Sequence, residues 1–124
     1  TRALDDYGRA IRHDPRAHHA MVNRAIMYIT RGEYDLAVAD LTSAIAIGKE
    51  LSHCYCCRAR AHLKRGDYGM AVADCSESIR HGAENVNAYY DRARAYRAIG
   101  EHRRAAADLA RAKRLNPGIG REPQ

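Results

Sequence analysis

The sequence predicts an all-α protein built of antiparallel helix hairpins, and three observations carry that prediction. The chain repeats itself every 34 residues, a glycine recurs at one place in each period, and no proline interrupts a helically periodic stretch. The segments RGEYDLAVADL (31–41), RGDYGMAVADC (65–75) and IGEHRRAAADL (99–109) align without insertions. Upstream of each, NRAIMY (23–28), CRARAH (57–62) and DRARAY (91–96) keep the same spacing. The opening RALDDYGRAIRHDP (2–15) matches only the second half of the unit.

Taken in order, residues 2–13 form the second helix of an incomplete unit. First helices are expected over 18–31, 52–65 and 86–99, and second helices over 34–47, 68–81 and 102–115. Gly32, Gly66 and Gly100 fall just past the first helices, where a left-handed residue ends a helix and glycine adopts it cheaply. Asp14-Pro15, Gly48, Gly82 and Asn116-Pro117 stop the units. At 124 residues and 46% hydrophobic, the chain has material for one core. The expected organisation is one domain over 1–124: a half unit (1–17), units at 18–51, 52–85 and 86–119, and a tail (120–124).

The repeat explains most residues that would otherwise suggest chemistry. Ala25, Ala59 and Ala93, with Ala37, Ala71 and Ala105, let paired helices approach closely. Tyr7, Tyr28, Tyr34, Tyr55, Tyr68, Tyr89 and Tyr96 fall in core registers, and Tyr90 alone should face outward. Arg24 and Asp40, Arg58 and Asp74, Arg92 and Asp108 are each sixteen residues apart. Across a tight hairpin that spacing sets the middle of one helix opposite the middle of the next. A partly buried ion pair fixing hairpin register is therefore expected in each unit.

A 34-residue helix–turn–helix unit with a Gly-x-Tyr turn, a following alanine and a terminal proline resembles the tetratricopeptide repeat. The variant with Arg-Ala-x-Ala-Tyr in the first helix and Ala-x-x-Asp in the second is similar to a form frequent in bacterial members. The resemblance reaches residue 118 or so. It implies a right-handed superhelical solenoid whose first helices line a concave groove for a peptide or a partner's helix.

The cluster HCYCCRARAH (53–62) invites a metal or redox reading, which the repeat removes. Cys54 shares its register with Ala20 and Ala88, Cys56 with Val22 and Tyr90, and Cys57 with Asn23 and Asp91. Cys75 shares a core register with Leu41 and Leu109. A structural zinc site needs a second pair of ligands, and His62 takes a core tyrosine's register instead. No metal, disulfide or cofactor is expected, and unpaired thiols at this density fit a reducing, cytoplasmic setting. There is no phosphate loop, zincin motif or nucleophile elbow, so no catalytic residue is assigned and the chain is not read as an enzyme. His13, His81 and His102 fill structural registers. His18, His19 and His53 stand at first-helix starts, within reach of a ligand, but are read as ordinary satisfied or exposed histidines.

Carried over by register, the resemblance implies a peptide-binding groove of sixteen residues. His19, Val22, Asn23, Ile26 and Ile29 come from the first complete unit. His53, Cys56, Cys57, Arg60, Leu63 and Lys64 come from the second, and Asn87, Tyr90, Asp91, Arg94 and Arg97 from the third. The first unit's share is apolar, while the later units bring Arg60, Lys64, Arg94 and Arg97 around one carboxylate, Asp91. Arg60 and Arg94 stand in one register of adjacent units, and paired like charges favour an anion between them. The expected partner is thus a protein or peptide with an apolar end and an acidic end.

One subgroup of the family clamps chaperone C-terminal carboxylates. Asn23 matches its central asparagine, but His53 and Cys57 stand where a lysine and an arginine belong, so that clamp is not expected. The net charge of +6 sits mostly in residues 86–124, with nine Lys/Arg against four Asp/Glu. That asymmetry leaves RNA binding as the alternative, disfavoured because the tyrosines are committed to packing. No apolar run is long enough to span a bilayer, and no membrane association is expected. The chain starts inside a second helix and stops after Pro117. Leu4, Tyr7 and Ile11 are therefore expected to lie uncovered, in a longer protein or one that self-associates through its ends.

Overall fold

The computed structural model describes residues 2–14 and 16–119. Among them are seven helices and no strand: α1 (Arg2–His13), α2 (His18–Thr30), α3 (Tyr34–Ile47), α4 (Leu51–Arg65), α5 (Tyr68–His81), α6 (Val86–Ala98) and α7 (His102–Leu115). Helix bounds fall within a residue of those expected from the repeat. Pro15 and residues 120–124 lie outside the described part. No helix among the described residues is long and apolar enough to cross a membrane.

The three hairpin turns are closed the same way by the backbone alone. Gly32, Gly66 and Gly100 have φ of 80°, 87° and 82°. Their N–H groups donate to Ile29, Leu63 and Arg97. The next N–H in each turn reaches one residue further back, from Glu33, Asp67 and Glu101 to the carbonyls of Tyr28, His62 and Tyr96 at 2.8–2.9 Å. This double closure satisfies the last carbonyls of each first helix and turns the chain back on itself.

Within hairpins, α2 packs on α3, α4 on α5 and α6 on α7. Between them, α3 packs on α4 and α5 on α6. First helices also touch one another, α2 with α4 and α4 with α6, whereas α3 and α5, or α5 and α7, do not meet among the described residues. The stack therefore curves with α2, α4 and α6 on its inner side. Ala25, Ala59, Ala37 and Ala71 are at most 1% exposed, so pairs of helix backbones meet through small side chains. The core fills the gaps between hairpins: Val22, Ile29, Leu41 and Ala44 close against Cys54 and Ala61, and Leu63 with Ala71 against Ala95. Cys54 and Cys75, both fully buried, pack as small apolar residues.

All three Arg–Asp pairs form, each with two parallel hydrogen bonds. Arg24 meets Asp40 at 2.6 and 2.7 Å, Arg58 meets Asp74 at 2.8 Å twice, and Arg92 meets Asp108 at 2.7 and 2.8 Å. The aspartates are at most 8% exposed. Two of the arginines also reach back across the junction, Arg58 to Thr42 at 3.2 Å and Arg92 to Ser76 at 3.1 Å. The pairs thus fix the hairpin and also tie it to the one before.

Two expectations need correction. The tyrosines are half-buried at the margin of the core, with Tyr28 and Tyr34 packed on the first cluster and Tyr68 on the second, and Tyr90 is half-buried as well rather than turned outward. Four of the rings lie beneath guanidinium groups: Arg24 over Tyr28, Arg58 over Tyr55, Arg92 over Tyr89 and Tyr96. Such stacking offsets partial exposure and leaves the hydroxyl end wet. Leu4, Tyr7 and Ile11 are half-buried rather than uncovered, with Ile11 packed on the first core cluster, because α1 lies along α2.

At the second junction a polar knot replaces apolar packing. Ser52 Oγ donates to the Ser78 carbonyl at 2.9 Å, Ser78 Oγ donates to the Ser52 carbonyl at 2.6 Å, and Asn85 Nδ2 donates to both hydroxyls at 3.0 Å. A Cβ on Gly82 would lie 2.7 Å from Ser52 Oγ. Gly82→Ala is expected to cost about 1–3 kcal/mol by forcing this knot apart. Gly69→Ala in α5, where a Cβ meets nothing within 4 Å, should instead stabilise by about 0.5–1 kcal/mol. Urea unfolding of the two variants measures both.

Candidate peptide groove

The inner face is built from one stripe of each first helix, and its registers behave differently along the stack. At the outermost register His19, His53 and Asn87 are all exposed. Asn23 is exposed, Cys57 half-buried and Asp91 buried. Ile26 is exposed, Arg60 half-buried and Arg94 exposed, and Lys64 is exposed.

Two registers assigned to the groove belong instead to the junctions. Val22, Cys56, Ile29 and Leu63 are 4–8% exposed, because each points at the following hairpin and is covered by it. Their equivalents in the third unit, Tyr90 and Arg97, are half-buried and exposed, since no described helix follows α7. The apolar first third expected from Val22, Ile26 and Ile29 therefore shrinks to Ile26, which is 41% exposed. Apolar surface is found at the other end instead. A cavity of about 420 Å³ there is floored by Tyr90, Ala93 and Leu109 and edged by Arg94, Arg97 and Lys113.

Asp91 changes the meaning of the basic registers. It is 2% exposed and accepts from Arg60 Nη2 at 3.2 Å, and Arg94 Nη1 lies 3.8 Å from its other oxygen. Burial pushes its carboxyl up from the ordinary range, while Arg60, Arg94 and Lys64 pull it down. The anion expected between Arg60 and Arg94 is thus partly supplied from within. Asp91 lies beneath the surface, however, so the face open to solvent keeps the guanidinium groups of Arg94 and Arg97 and the ammonium of Lys64. Arg94 also lies over the Tyr90 ring, 6.0 Å from its centroid.

The cysteines do not converge. Cys54 and Cys56 are buried, Cys57 is half-buried, and Cys75 sits in α5. Burial pushes the Cys54 and Cys57 thiols up to about 11 and Cys56 to about 12, which keeps them protonated and unreactive at neutral pH. The nearest approach to a reactive pair is Cys57 Sγ at 3.7 Å from His53 Nε2.

Sequence reading missed three features of this face: the burial of the Val22 and Ile29 registers, the internal role of Asp91, and the reach of Arg58 and Arg92 across the junctions. A signal existed for the last, since Thr42 and Ser76 share a register sixteen residues before those arginines.

A family profile described as Tetratricopeptide repeat matches residues 1–50 and 58–118. The chain belongs to the tetratricopeptide repeat family. No curated protein matches it in sequence. Solved tetratricopeptide structures share its fold. A crystal structure of MamA superposes with a TM-score of 0.87 at 18% identity, over 94% of this chain and 68% of that one. The TPR domain of OM64 from Arabidopsis gives 0.81 at 28% identity, over 84% and 86%. The TPR2B domain of yeast Sti1, solved as a complex with pHsp70, gives 0.77 at 26% identity, over 82% of both chains.

Proposed function

We propose that this tetratricopeptide chain is a protein-interaction module holding an extended peptide or partner segment of acidic character across α2, α4 and α6. The observation that carries the reading is the uneven neutralisation of the inner face. Asp91 balances charge below the inner face, while Lys64 and Arg94 stay exposed on it, and Arg97 stands beside them on the uncovered side of α6, at the edge of the cavity over Tyr90 and Leu109. A carboxylate seated on the two arginines gains charge-assisted hydrogen bonds, and a neighbouring apolar side chain fills the cavity. The partner's apolar and acidic groups therefore sit close together, over the third unit. The yeast Sti1 domain, solved with a bound partner, supports peptide binding by this fold. The reading assigns the chain no reaction. We place the half unit and the three full units in one domain that acts as one binding surface.

Fluorescence anisotropy with labelled peptides tests this. A peptide of glutamates around one leucine is expected to bind, and its glutamine counterpart and a uridine homopolymer are not. Tighter binding to the RNA, lost steeply with salt, would overturn the reading in favour of a nucleic-acid module.

A further inference from the structure

We propose that His18, His19 and Glu50 form a binding site for a late first-row divalent metal ion, zinc by its chemistry, that ties the start of α2 to the start of α4. His18 Nε2 lies 3.1 Å from Glu50 Oε2, and His19 Nδ1 lies 3.9 Å from the same oxygen. One ligand atom from each residue falls within 4.8 Å of the other two. Zinc bonds of about 2.0–2.1 Å in a tetrahedral array set neighbouring ligand atoms about 3.3 Å apart, so a small contraction completes three positions. The movement falls on the side chains free to make it. The His19 and Glu50 side chains are 82% and 56% exposed, while His18, at 4%, is a fixed anchor.

Comparison with the next junction shows why this place is unusual. His18 occupies the register of Ser52, Ala44 that of Ser78, and Leu51 that of Asn85. At the second junction those three residues saturate one another's hydrogen-bonding groups. At the first junction alanine and leucine offer His18 nothing. Its ring is 5% exposed and meets Glu50 at Nε2 and the edge of the His19 ring, and its Nδ1 has no hydrogen-bond partner. Glu50 also holds a left-handed backbone, φ 49°, the single non-glycine to do so among the described residues. An unsaturated buried imidazole, an exposed imidazole and a carboxylate thus replace a closed polar knot.

Two imidazole nitrogens and one carboxylate oxygen suit zinc and its neighbours rather than calcium or magnesium, which take oxygen ligands. Solvent fills the remaining position. Two features hold the affinity down. Binding at Nε2 requires a proton on the buried Nδ1, which has no acceptor, and the positive end of α2 opposes a cation. The site is therefore reversible, acting on the junction between the first two units.

Calorimetric titration of the metal-free chain with zinc chloride tests the proposal, comparing wild type with His19→Ala, Glu50→Gln and His53→Ala. The first two replace exposed side chains, so the fold is not at risk. One zinc per chain is expected, weakened about tenfold or more by either His19→Ala or Glu50→Gln and unchanged by His53→Ala, with a zinc-dependent rise in wild-type melting temperature. Absence of binding overturns it, as does wild-type affinity in Glu50→Gln. Loss on His53→Ala alone places the ion at Cys57 and overturns it too.

Discussion

Arg58→Ala is expected to destabilise the chain by roughly 3–5 kcal/mol, the cost of leaving a buried charge unpaired. Two hydrogen bonds to Asp74 and one to Thr42 disappear together, and the Tyr55 ring loses the guanidinium above it. Asp74, 6% exposed, keeps the imidazole of His62, its Nε2 at 3.6 Å. In the wild type, burial first and the Arg58 charge with it hold His62 below its ordinary range, so it is neutral at pH 7. Removing Arg58 lifts one of those restraints. Protonated His62 then pairs with Asp74, and the deficit of the variant is expected to be smaller at pH 5 than at pH 7. The wild type runs the other way. Its depressed His62 takes up protons more readily when unfolded, so this group's contribution falls as pH drops through 6.5. Thermal melts of both proteins at the two pH values check the magnitude and the sign. Replacing both partners, Arg58→Met with Asp74→Leu, should recover most of the loss, since no charge is then stranded. An unchanged melting temperature in Arg58→Ala would show that the pair does not hold the hairpin.

The second large effect concerns binding. Arg94→Gln and Arg97→Gln are each expected to weaken an acidic peptide about tenfold, the value of one charge-assisted hydrogen bond of about 1.5 kcal/mol. Arg103→Gln, on the outer helix α7, should leave affinity unchanged. Arg60→Glu is a poor probe of the same face. It would set a second carboxylate against buried Asp91, and binding would be lost with the fold. The neutral changes at Arg94 and Arg97 avoid this because both side chains are exposed.

Most of the fold was legible because a repeated unit reports each feature three times. Helix bounds, left-handed glycines and the Arg–Asp spacing recur at fixed registers, and all are found where the period puts them. The groove was less legible, for a geometric reason. Val22 and Ile29 lie on the same helix as Asn23 and Ile26 but are turned toward the next hairpin, so register alone did not separate a binding stripe from a packing stripe. The last unit exposes the difference, since Tyr90 and Arg97 take those registers with no described helix above them. The internal pairing of Asp91 was hidden for another reason. Its register holds Asn23 and Cys57 in the other units, and only the fold brings Arg60 of α4 onto it.

The most direct test of the binding account is a two-dimensional NMR titration of the isotope-labelled chain with the glutamate–leucine peptide. The account expects saturable shifts at Lys64, Tyr90, Arg94 and Arg97, with those on α3 and α5 unmoved. Shifts confined to α3 and α5, or none at concentrations where the peptide is bound, would contradict it.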